Sequence, residues 1–131
     1  MQNLKKPKKF TTISFVLIYM FCLALVLIRW AHTFNNDIVV INQEINSHIT
    51  NFTLSILMCI LFGYISLIAG KQYQSCLMIG VLIIVGNFIY ETILPLLNTI
   101  DIIDAIYGLV GVLFSLIYLY FISKYGFLDK K

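Results

Sequence analysis

Arg29, His48, Asn51, Asn87, Glu91, Asp101 and Asp104 bring charge or hydrogen-bonding capacity into a sequence that is otherwise strongly apolar. An imidazole set among carboxylates and amides can shuttle protons, hold a cation, or grip the polar head of a ligand by hydrogen bonds. The motif content favours binding over catalysis. There is no His-Glu-x-x-His helix, no nucleophile elbow, no phosphate-cradling glycine loop and no cysteine with an activating base in its neighbourhood. The carboxylates and His48 match no spacing that specifies a metal, so the expectation is a non-enzymatic protein without metal or cofactor.

The elements that must position these residues follow from composition. Of 131 residues, 60% are hydrophobic and only 11% charged, against roughly 45–50% and about 25% in soluble domains. A water-soluble fold of this size has no interior large enough for so much apolar surface. A helix needs about 20 apolar residues to cross a hydrocarbon layer of roughly 30 Å, and four such segments occur, near residues 10–30, 49–69, 77–97 and 102–122. The first begins behind Lys5, Lys6, Lys8 and Lys9 like a signal peptide. Its length and the lack of a small-x-small cleavage site mark it instead as a retained span. The runs lack the alternation of a barrel strand, so each span is a helix. Cys22, Cys59 and Cys76 all fall inside apolar runs and read as small packing residues.

Charge sets the orientation. Lys5, Lys6, Lys8, Lys9, Lys71, Lys124, Lys130 and Lys131 fall on one side of this four-span arrangement, with only Arg29 on the other. Asp37, Glu44, Glu91, Asp101 and Asp104 gather opposite the lysines. The positive-inside rule therefore places both termini in the cytoplasm, with outer connections over residues 31–48 and 98–101 and a tight inner turn over 70–75. The expected protein is an all-α, four-helix transmembrane bundle of the cytoplasmic membrane, one domain over residues 1–131. The net charge of +3 sits largely in terminal clusters without stacking aromatics, which points to lipid headgroups and away from nucleic acid.

A charge at the centre of a span costs about 2.5–3.5 kcal/mol on insertion scales, so polar residues there need a partner or a purpose. Glu91 lies six residues before Leu97, roughly 9 Å inside a continuous helix. Asn87 and Gly80 share its face, and Pro95 leaves the Glu91 carbonyl without its helical donor. In the fourth span Asp101, Asp104, Gly108, Gly111 and Ser115 form a stripe that is polar and then small. The aspartates suit a helix N-terminus and the small residues a packing seam. In the second span His48, Asn51, Ser55, Cys59, Gly63 and Ser66 form a similar stripe, and the two seams are expected to meet. Arg29 ends the first span beside Trp30 and His32 as an interfacial anchor or a partner for an acid. All seven polar residues then converge at one outward level. Two readings stay open, a hydrogen-bonded network that fixes helix register and a binding site at the outer leaflet.

The same residues carry a resemblance. Glu44 to His48, the continuation to Phe52, Glu91 near the end of span three, and Asp101, Asp104 and Gly111 entering span four resemble the VanZ-like membrane family over roughly His48 to Ser115. Leu94 stands where that family usually has glutamine, Gly108 replaces an asparagine, and no arginine occupies the loop near Asn98. The resemblance implies a bacterial cell-envelope protein related to ones conferring resistance to teicoplanin-type glycopeptides, with no established catalytic chemistry. The expected partners are membrane lipids, a lipid-linked envelope precursor or a glycopeptide, and either a second copy or another membrane protein. A small proton-coupled drug exporter is the alternative, although span one carries no acid; a structural or regulatory subunit of a membrane complex is another.

Overall fold

The computed structural model describes residues 4–93 and 101–128, in which four helices follow one another: α1 (Lys9–Ala31), α2 (Gln43–Ile68), α3 (Tyr73–Ile93) and α4 (Ile102–Tyr125). They contain 23, 26, 21 and 24 residues, hence lengths of roughly 31–39 Å against a hydrocarbon layer of about 30 Å. All four are long and apolar enough to cross a membrane. The chain is a multi-pass, all-α membrane protein. Its outward faces agree: Leu17 and Phe21 on α1, Met78 and Leu82 on α3, and Ile117 on α4 are well exposed, an arrangement that aggregates in water and is solvated by lipid tails.

Helix α2 is the centre of the bundle. It packs against all three other helices, most extensively against α4. One buried cluster joins Cys59, Leu67, Cys76, Val112 and Leu119 of α2, α3 and α4, and another joins Cys22 of α1 to Ile56 and Ile60 of α2. The three cysteines are buried free thiols within these clusters. Glycine sets how closely the helices meet. A β-carbon on Gly111 would run into the carbonyl oxygen of Phe52, and one on Gly108 would collide with the Asn87 amide nitrogen and sit 3.1 Å from Ser55 Oγ. Gly63, beneath Leu119, and Gly80, 2.9 Å by the same measure from Leu116 Cδ1, do likewise further along the bundle.

Two helix starts differ from the hydropathy reading, because capping acts beyond the apolar core of a span. Helix α2 begins at Gln43 rather than at 49, since the Asn42 side chain accepts the Ile45 N–H at 2.8 Å and Glu44 lies in the first turn. The first connection shortens, and His48 sits inside the helix instead of at its mouth. Helix α3 begins at Tyr73 rather than at 77, directly after a turn closed by Gly70, whose φ of 81° suits glycine. There the Lys71 N–H donates to the Ser66 carbonyl at 3.1 Å and the Gly70 N–H to Leu67 at 3.0 Å. Helix α4 starts at the expected place, where Asp101 accepts the Ile103 N–H at 2.9 Å. The expected kink at Pro95 and the end of α3 at Leu97 lie outside the described residues.

The chain closes on itself at one end. Lys5 N–H donates to the Ile68 carbonyl at 2.8 Å, Lys8 N–H to Gly126 at 2.8 Å, and Leu128 N–H to Lys6 at 2.9 Å, around an isolated bridge between Pro7 and Phe127. Thr11 Oγ1 adds a buried bond to the Gly126 carbonyl. Both terminal segments therefore lie together at the end that also carries the α2–α3 turn.

Gly111→Val is expected to cost about 1–3 kcal/mol by forcing α2 from α4, whereas Gly86→Ala, whose β-carbon meets nothing within 4 Å, should leave stability unchanged or slightly raised. Thermal unfolding in detergent compares them; equal midpoints would contradict the close approach.

Candidate functional site

The polar stripe of α2 makes one bond per turn to its neighbours. His48 and Asn51 are three residues apart and Ser55 follows four later, so all three face the same way. His48 Nδ1 lies 2.7 Å from Asp104 Oδ1, Asn51 Nδ2 donates to Glu91 Oε1 at 3.3 Å, and Asn87 Nδ2 donates to Ser55 Oγ at 2.8 Å. Asp101 Oδ2 stands 3.9 Å from the same imidazole nitrogen. These rungs tie α2 to α4, then to α3 twice. Glu91 is only 4% exposed, and the amide of Asn51 offers its carboxylate a donor at that depth. The Asn87 amide occupies the space that Gly108 leaves by lacking a side chain.

Six of the seven residues singled out in the sequence thus belong to one connected region. Arg29 does not join it: it is half-buried near the C-terminal end of α1 and forms no ion pair among the described residues. Ser55 and Tyr107 were not among the seven. Ser55 supplies the third rung, and the Tyr107 ring lies 5.2 Å from that of His48. The signal for Tyr107 was its place one turn after Asp104.

The upper rung has the chemistry of a polar clamp. With Asp104 ionised, its oxygens only accept, so Nδ1 carries the proton and Nε2 is left as an acceptor. An aspartate that orients a histidine is also half of a catalytic relay, but no hydroxyl or thiol is bonded to His48 among the described residues. One ligand atom each from His48, Asp101 and Asp104 lie within 4.8 Å of one another. That donor set suits a divalent cation, a possibility the residue spacing did not specify. Beside the clamp an apolar cleft of about 260 Å³ opens between α2 and α4, lined by Ile49, Phe52, Ile106, Tyr107 and Val110.

Fold and site together define a four-helix membrane protein with a carboxylate–histidine cluster at the end of the bundle opposite the termini. Comparison with family models, with curated proteins and with solved structures gives no match.

The rungs should be energetically coupled. In a double-mutant cycle of His48→Ala and Asp104→Ala, unfolding in mixed micelles is expected to show about 1 kcal/mol of non-additivity. The pair His48→Ala and Ser123→Ala, in which Ser123 bonds locally to the Tyr120 carbonyl, should be additive. Strict additivity of both would contradict the His48–Asp104 bond.

Proposed function

We propose that this is a VanZ-like protein of the bacterial cytoplasmic membrane that binds an amphiphilic or lipid-linked envelope molecule at the outer leaflet, without catalysis, and thereby lowers susceptibility to teicoplanin-type glycopeptides. One observation carries the reading: the half-buried cluster of His48, Asp101 and Asp104 stands directly beside the apolar cleft between α2 and α4. Ile49 follows His48 in sequence, and Tyr107 both lines the cleft and packs on the imidazole. A head that donates hydrogen bonds or carries positive charge fits the cluster, and an apolar tail fits the cleft. The lysine-poor end of the bundle is the outward one by the positive-inside rule.

A second reading has its own support, because the Asn51–Glu91 and Asn87–Ser55 rungs satisfy one another inside the protein. In that reading the polar stripe fixes the register of α2 and no ligand is involved.

Susceptibility separates the two. In a sensitive host, the wild type should raise the inhibitory concentration of teicoplanin about fourfold or more while leaving vancomycin, which lacks the acyl chain, nearly unchanged; this protection amounts to about 1 kcal/mol of effective sequestration. Asp104→Asn and His48→Ala should lose the protection at equal membrane abundance. Wild-type expression without any selective change would remove the binding reading and leave the register network.

A further inference from the structure

We propose a second binding site at the opposite, lysine-bearing end: a groove between α2 and α3 that holds an anionic diacyl phospholipid, with its phosphate on Lys71. The groove encloses about 420 Å³ and is walled by Met58, Phe62 and Ile65 of α2 and by Ile79, Leu82 and Ile83 of α3, with Lys71 at its end. Its length fits one leaflet. From Met58 to Ala69, the residue that ends α2, the wall runs eleven helical steps, or roughly 16 Å, about half of a 30 Å hydrocarbon layer. A second hollow of about 290 Å³ adjoins it at Leu82 and lies along Leu77, Met78 and Val81 of α3. The groove and this neighbouring apolar face of α3 together offer surface for the two tails of a diacyl lipid.

The head position is defined by the backbone. Gly70 turns the chain at the end of α2, and the Lys71 N–H caps the Ser66 carbonyl, so Lys71 emerges at a fixed point just beyond the groove. Its side chain is exposed and forms no ion pair among the described residues. The described acids all lie toward the other end: Asp37 and Glu44 precede or open α2, Glu91 is late in α3, and Asp101 and Asp104 open α4. At the Lys71 end the described charges are Lys5, Lys6, Lys8, Lys9, Lys71 and Lys124. Lipids touch every membrane helix, but this groove pairs an apolar wall with an exposed ammonium that no described acid opposes, which selects net negative charge.

The full chain, purified in mild detergent and titrated with phosphatidylglycerol or phosphatidylcholine, is read by native mass spectrometry. The wild type should hold phosphatidylglycerol about fivefold more tightly than phosphatidylcholine, the factor expected for one lysine near a charged surface. Lys71→Gln should remove the preference, Ile65→Trp should weaken both lipids by filling the groove, and Lys124→Gln should keep most of the preference. Equal affinity of the wild type for both lipids, or a Lys71→Gln variant that still prefers phosphatidylglycerol, would overturn the proposal. Dimer masses that exclude lipid and vanish in Ile65→Trp would also overturn it, by giving the groove to a second copy of the chain.

Discussion

The carbonyl of Phe52 lies where a β-carbon on Gly111 would have to be, and the arrangement of the polar half of the bundle follows from that contact. Lipid supplies no hydrophobic force to press one membrane helix against another, so packing and hydrogen bonding must hold them. The glycines of α4 let α2 come close enough for short side chains to reach across. Ser55 meets Asn87 only because Gly108 leaves room for the amide, and His48 meets Asp104 two turns of α2 further along. A bulkier α4 would separate the donors from their acceptors and strand polar groups at a depth where each lost bond is costly.

The two ends of the bundle solve different problems. At the end holding the termini, the unsatisfied carbonyls of Ile68 and Gly126 at or just beyond helix ends are met by backbone N–H groups of Lys5 and Lys8. The Lys5 ammonium in turn lies over the Phe127 ring, 5.9 Å from its centroid. At the other end the caps are side chains, Asn42 for α2 and Asp101 for α4. Asp101 spends one oxygen on the Ile103 N–H and turns the other toward His48. Capping and clamp formation are therefore the same act, and the positive end of the α4 dipole favours the negative charge of both aspartates.

Much of this was legible in the sequence, for reasons that differ by feature. The spans stand out because hydrocarbon thickness demands long apolar runs, and the stripes of α2 and α4 stand out because helical periodicity places residues three and four apart on one face. The meeting of these seams follows from small residues alone. The helix starts were less legible: Asn42 and the turn at Gly70 extend α2 and α3 into polar sequence that a hydropathy argument assigns to loops. Arg29 marks a different limit, since periodicity cannot tell which helix a residue at the end of α1 will face. Tyr107 and Ser55 have ordinary residue types for their positions, and only three-dimensional packing reveals them as neighbours of His48 and Asn87.

Accessibility changes along the polar stripe. Ser55 and Glu91 are 3% and 4% exposed while their amide partners Asn87 and Asn51 are half-buried, so each lower rung is covered at one partner and can fix register. The upper rung opens progressively: the side chains of His48, Asp104 and Asp101 are 12%, 20% and 34% exposed. The amide rungs already serve register, whereas the upper rung sets two carboxylates around one imidazole, with one Asp101 oxygen engaged by the Ile103 N–H. That concentration of acceptors at the rim, beside an apolar cleft, is the feature on which the proposed binding role rests.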